Sequence, residues 1–125
     1  MQTVMIDTDI AIDYLRGISS AKDLILPLWK TNTAYLSILT VYELHAGMRK
    51  SEKEDTNNFI SACNIEPVTI EIAKRGGEIY RHYRTQGITL TSTDCLINAT
   101  AIVRAHKIAT RNKEHYPDKK MLWKH

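Results

Sequence analysis

The chain has 125 residues, of which 43% are hydrophobic and 25% charged, and its net charge is +3. That length suits one domain with a core that needs no covalent staples, and the composition excludes a disordered or collagen-like chain. The longest apolar runs, such as Leu24-Ile25-Leu26-Pro27-Leu28-Trp29, are too short to span a bilayer.

Thr3-Val4-Met5-Ile6 predicts a short buried strand. A helix follows from Thr8 or Asp9, with Ile10, Tyr14 and Leu15 inward, and Gly17 ends it. Residues 20–30 predict a second helix, weakened by Pro27. Ala34 to Ile38 reads as a strand, and Thr40 to Lys50 as a helix with Val41, Leu44, His45 and Met48 at core spacing. Ser51 to Asn64 predicts another helix, with Phe59, Ile60 and Cys63 as its buried stripe. Ile65 to Val68 reads as an edge strand, where Pro67 is tolerated. Residues 70–84 form an amphipathic helix with Ile72, Gly76, Ile79, Tyr80 and Tyr83 on one face. Gly76 and Gly77 weaken that helix, which implies a close neighbour. Residues 93–105 are apolar on nearly every side and predict a buried helix. Lys107 to Thr110 is a last strand, with Met121-Leu122-Trp123 a candidate for one more. Ion pairs are expected between Asp13 and Arg16, Glu71 and Arg75, and Lys74 and Glu78. No repeat or linker divides the chain. Residues 1–125 therefore read as a single α/β domain built on a mostly parallel sheet.

In such sheets ligands bind beyond the carboxyl ends of the strands. Acids recur there. Asp7 and Asp9 follow the first strand, Glu43 lies early in the helix after the second, and Asp94 opens the buried helix. Thr110 closes a later strand, with Asn112 and His115 beyond it. Each has an ordinary structural explanation. Asp7 or Asp9 fits an N-cap, Thr40-x-x-Glu43 fits a capping box, Asp94 gains from a helix dipole, and Asn112 suits a turn. Against these, Asp94 heads a helix buried all round, where an isolated carboxylate is costly. Glu43 shares its helix face with the small Ala46 and Gly47. Carboxylates gathered in one cleft repel one another, and a hard divalent cation, Mg²⁺ or Mn²⁺, relieves that. Such a site suits phosphodiester hydrolysis.

Charge is unevenly distributed. Residues 101–125 carry seven basic and two acidic side chains, while the first hundred residues carry ten basic and twelve acidic. A cationic end beside an acidic body suits a polyanion that must approach carboxylates, and it also suits an ordinary solvated tail. Cys63 and Cys95 stand far apart in sequence and read as reduced thiols rather than zinc ligands. The N-terminus lacks the basic start of a secretion signal, so the expected address is cytoplasmic.

Four blocks carry a resemblance: Ile6-Asp7-Thr8-Asp9, Ser37 to Leu44, Thr93 to Ala101, and Ile108 to Pro117. In this order and over this length the chain resembles the PIN domain, and more narrowly the VapC ribonuclease toxins of type II toxin–antitoxin pairs. The resemblance implies a three-layer α/β/α sandwich. It implies Mg²⁺- or Mn²⁺-dependent endonuclease action on RNA, commonly tRNA or ribosomal RNA. It also implies a homodimer, and inhibition by a cognate antitoxin whose C-terminal segment enters the active-site groove. By the same resemblance Asp7, Glu43 and Asp94 would be metal ligands. Asn112 stands at the fourth catalytic position, where many relatives carry Asp, and a neutral amide binds metal more weakly. Asp9 would supply part of the missing charge, and Thr110 would orient the ligands. Arg111, Lys113 and His115 flank these positions and are candidates to hold RNA phosphates.

Two rivals remain at this level. The Asn112 departure fits a PIN-like scaffold that binds RNA or protein at a weakened site. A phosphotransfer receiver domain would need an acceptor Asp after the third strand, but here Glu66-Pro67-Val68 runs into Thr69.

Overall fold

Three consecutive apolar residues, Val4, Met5 and Ile6, form strand β1 (Val4–Ile6), and all three are fully buried. A strand buried on both sides must have layers on both faces. The computed structural model, which describes residues 1–124, supplies them. In chain order the elements are β1, α1 (Thr8–Leu15), α2 (Ser19–Lys30), β2 (Ala34–Ser37), α3 (Ile38–Gly47) and α4 (Lys53–Ser61). They continue as β3 (Asn64–Glu66), α5 (Ile70–Arg84), α6 (Ser92–Arg104) and β4 (Lys107–Ala109). Short 3₁₀ turns cover Lys50–Glu52, Lys113–His115 and Lys119–Met121.

The sheet runs β3-β2-β1-β4, and every pairing is parallel. Val4 pairs with Ala34 on one side and Lys107 on the other. Alternate side chains then face opposite layers. Val4, Ile6, Ala34, Leu36 and Ala109 pack against α1 to α4 through Ile10, Ala11, Ile25, Leu28, Leu44 and Phe59. Met5 and Ile108 point the other way, onto Ile97 and Ala101 of α6 and onto Tyr116. Helix α5 closes that layer through Ile72 and Ile79, which meet Cys95 and Ala99. The fold is the expected α/β/α sandwich.

Gly76 explains how closely α5 and α6 approach. A Cβ placed there would stand 2.9 Å from Leu96 Cδ2, whereas one at Gly77 meets only Arg81 Nη1 at 4.0 Å. The close neighbour expected of both glycines belongs to Gly76 alone.

Several boundaries differ from the sequence reading, each for a local reason. Helix α3 begins at Ile38 because Ser37 caps it, its Oγ accepting from Leu39 N–H at 3.0 Å. Thr40 and Glu43 therefore form no capping box. His45 is exposed and bonds Asn57 rather than the core. Strand β3 stops before Pro67, which has no N–H to donate. Pro27 is carried within α2, where both it and Asp23, whose carbonyl it cannot bond, are exposed. Of Met121-Leu122-Trp123 only Leu122 pairs, in one parallel bridge to Ile108. Two ion pairs are also redistributed: Asp13 binds Arg111 rather than Arg16, and Glu78 meets Arg75 at 3.9 Å. Among the described residues no helix is long and apolar enough to cross a membrane, and both cysteines are free thiols.

Candidate active site

The order of the sheet changes direction at β1. Chain connections from β1 lead one way to β2, while β4 returns on its other side. Crevices open at such switch points, beyond the carboxyl ends of the strands. A cleft of about 300 Å³ lies there, lined by Asp7, Asp9, Glu43, Asp94, Asn112 and His115 together with Thr8, Thr91 and Thr93. The structure thus brings all four expected catalytic residues to one place. Among the described residues no lysine or arginine lines the cleft.

Asp7 follows β1 directly and caps α1, its Oδ1 accepting from Thr8 N–H at 2.9 Å. Its Oδ2 accepts from Thr110 Oγ1 at 2.8 Å and from the Tyr116 hydroxyl at 3.1 Å. Only 6% of Asp7 is exposed. Burial raises its pKa above the ordinary 3.8; the Thr110 bond opposes the shift, the charge of Asp9 adds to it, and the Thr8 and Tyr116 bonds oppose it. The capping role does not exclude ligation, since each carboxylate oxygen has a second lone pair.

Glu43 is free of helix capping. Its Oε1 accepts from Thr8 Oγ1 at 2.7 Å, and the same hydroxyl lies 3.2 Å from Thr40 Oγ1. Asp94 sits in the first turn of α6, where Thr91 is the cap and its Oγ1 accepts from Asp94 N–H at 3.1 Å. The Asp94 carboxylate is left to face the cleft, and His115 Nδ1 stands 3.3 Å from its Oδ2. His115 is thereby placed on the cleft wall as a neighbour of a candidate ligand.

Asp9 has a different task. Its Oδ2 accepts from the backbone N–H groups of Arg111 (2.8 Å) and Asn112 (3.2 Å). Asn112 N–H also donates to Thr110 Oγ1 at 3.0 Å. Asp9 therefore fastens the loop after β4 and brings Asn112 to the cleft. The Arg111 guanidinium is engaged by Asp13, with Nε–Oδ2 at 2.6 Å and Nη2–Oδ1 at 3.1 Å. Lys113 is exposed beside the loop.

Two contributors escaped the sequence reading. Thr8 orients Glu43, and its place between Asp7 and Asp9 was the only available signal. Tyr116 is fully buried with its hydroxyl on Asp7. Burial, then the negative charge of Asp7, raises its pKa, so it stays a neutral donor. Nothing in local hydropathy distinguishes it from a core tyrosine.

The donor chemistry of this cleft fits a hard divalent cation. Four carboxylates and several hydroxyls face a space without lysine or arginine, and burial already strains the ionised form of Asp7. The spacing is open: among the described residues no three His, Cys, Asp or Glu side chains stand close enough to enclose an ion. Asp7, Asp9 and Glu43 are each fixed by hydrogen bonds of their own, and the carboxylates would have to draw together to share an ion.

Comparison with known proteins agrees with the fold. Residues 4–118 match the model of the PIN domain. Ribonuclease VapC10 of Mycobacterium tuberculosis is 32% identical over 114 residues, which cover 91% of this chain and 86% of the relative. Ribonuclease VapC19 of the same organism is 40% identical over 114 residues, covering 90% and 91%. Among solved structures, a chain of a toxin–antitoxin complex from Klebsiella pneumoniae superposes with a TM-score of 0.83 at 26% identity, covering 98% of this chain and 97% of the other. With all four sequence blocks placed around a single cleft, this chain belongs to the PIN-domain family, within its VapC group.

Proposed function

We propose that this protein is a metal-dependent endoribonuclease and the toxin of a toxin–antitoxin pair. One observation carries the reading: Asp7, Glu43 and Asp94, distant in sequence, line one cleft at the switch point of the sheet, without a lysine or arginine among them. The names of the relatives support ribonuclease action, and the Klebsiella complex supports an antitoxin partner.

Asp7, Glu43 and Asp94 would hold Mg²⁺ or Mn²⁺. When bound, such an ion lowers the pKa of a water and offsets charge on the phosphoryl oxygens. The remaining work belongs to the chain. Thr110 and Tyr116 orient Asp7 through its Oδ2, and Thr8 orients Glu43. A cleft carboxylate accepts a proton from the attacking water as the water oxygen bonds to phosphorus and the P–O bond to the leaving oxygen breaks, the leaving oxygen taking its proton from solvent. Asn112 completes the polar wall without adding negative charge opposite the phosphate. Lys113, His115 and Arg111 hold flanking phosphates, Arg111 by exchanging Asp13 for the backbone of the RNA. The target is a structured RNA of the tRNA or ribosomal class, the working form a homodimer, and the site of action the cytoplasm.

The test uses purified protein, total tRNA and Mn²⁺. Discrete fragments are expected, abolished by EDTA and by Asp94→Asn with the fold intact by circular dichroism. Undiminished cleavage by Asp94→Asn refutes the assignment. The open spacing of the carboxylates and the amide at Asn112 favour a second reading, a PIN-like module that binds RNA or a protein without cutting. A gel shift of tRNA by the wild type with no cleavage selects it.

A further inference from the structure

We infer that the outer edge of the sheet carries a second RNA-binding surface, one that grips the substrate away from the cleft. The inference rests on RNA being the substrate. β4 is an edge strand, and the residues after Lys119 run back along it, with Leu122 bridging Ile108 and Trp123 N–H donating to Ile108 C=O at 2.8 Å. Between this returning segment and the start of β1 lies a hollow of about 530 Å³, lined chiefly by Lys107, Lys119, Lys120, Lys124, Gln2 and Trp123. Lys107 opens β4 and Gln2 precedes β1, so the hollow lies toward the amino ends of the strands, opposite the acidic cleft.

Among the described residues no acidic side chain lines the hollow and no lysine belongs to an ion pair. The neighbouring acid, Asp118, caps the 3₁₀ turn by accepting from Lys120 N–H at 3.1 Å. Two of the ammonium groups are steadied by main-chain carbonyls, Lys107 by that of Lys120 and Lys119 by that of Lys113 at 2.9 Å. A carbonyl positions an ammonium group without neutralising it. The second contact ties Lys119 to the loop after β4, whose Asn112 lines the cleft at the other end of the sheet.

Trp123 decides which polyanion. It packs in part against the core cluster around β1 and β4, is fixed by its backbone bond to Ile108, and lines the hollow among the lysines with the remainder of its surface. A basic groove with an aromatic side chain in its wall suits single-stranded nucleic acid, since every base offers a surface for stacking. An acidic peptide would match the charge and leave the ring unused.

Fluorescence anisotropy with 3′-labelled total tRNA, in EDTA so that no RNA is cut, tests this across a salt series. The quadruple variant Lys107→Gln, Lys119→Gln, Lys120→Gln, Lys124→Gln should bind roughly tenfold or more weakly at physiological salt. Its log K against log salt slope should fall in magnitude by about 0.7–0.9 per lysine. Lys120→Gln with Lys124→Gln, which removes neither steadying contact, should lower the slope by about half as much and leave thermal stability unchanged. An unchanged slope in both variants overturns the proposal, as does displacement of tRNA by polyglutamate as readily as by poly(U). Cleavage in Mn²⁺ is read separately. If the wild type cuts nothing while the slope still falls, the nuclease reading fails and this surface stands; cleavage with an unchanged slope removes the surface alone.

Discussion

Replacing Tyr116 by phenylalanine removes one oxygen from a fully buried side chain and leaves its ring in place. The hydroxyl donates to Asp7 Oδ2 at 3.1 Å, and Asp7 is itself only 6% exposed, so water is poorly placed to take over the bond. A hydrogen bond to a charged group contributes about 1.5–3 kcal/mol. Oδ2 keeps its bond from Thr110 and Oδ1 its bond from Thr8, which places the expected loss near the lower end, about 1.5 kcal/mol. For a chain of this length that is a fall in Tm of about 5 °C. The loss should depend on pH. The Tyr116 bond favours the ionised Asp7, so the variant's Asp7 has a folded pKa raised further above 3.8 than in the wild type. A raised folded pKa gives stability that is present below the unfolded value and disappears as pH rises through the folded one. The difference between variant and wild type should therefore be full at pH 7.5 and shrink as Asp7 becomes protonated. Urea denaturation in EDTA, from pH 3.5 to 7.5, measures it. An equal loss at both ends, or none at pH 7.5, refutes the claim that this hydroxyl acts through the Asp7 carboxylate.

The same linkage applies to Asp7→Asn, which keeps an N-cap oxygen. Relative to wild type it should gain stability as pH rises from 3 to 7.5, because the buried charge is gone, while RNA cleavage is lost; a gain at low pH instead would reverse the sign and exclude burial as the cause. Mn²⁺ should raise the Tm of the wild type, with about 2.7 kcal/mol expected at a hundredfold excess over Kd. Asp94→Asn should show a smaller shift at the same concentration in scanning calorimetry, and equal shifts would place the ion elsewhere. Gly77→Ala should stabilise α5 by about 0.5–1 kcal/mol, since only Arg81 lies within 4.0 Å of the added carbon. Gly76→Ala should fall short of that gain, because its added carbon would stand 2.9 Å from Leu96 Cδ2 and the leucine must give way. Chemical denaturation of the pair separates helix propensity from packing, and a Gly76→Ala gain matching that of Gly77→Ala would contradict the close approach of α5 and α6.

The sequence by itself determined the layers and the ends of the strands. Val4-Met5-Ile6 must be covered on both faces, and the apolar 93–105 segment must be an interior helix. Short parallel strands joined through helices place Asp7, Glu43 and Thr110 at one end of the sheet whatever the details of packing. Other features depend on partners far away in the chain, which local pattern does not encode. Asp9 looked like a spare ligand, but it fastens a loop more than a hundred residues later. Asp13 had Arg16 within a helical turn, yet Arg111 reaches it with a fork of two bonds. Ser37 displaced Thr40 as the cap of α3, which released Glu43 for the cleft. Tyr116 became part of the site only because β4 and the turn after it bring its hydroxyl beneath Asp7. Periodicity reports which face of an element is buried; which polar atom meets which is settled when the layers close and each buried donor and acceptor must find a partner.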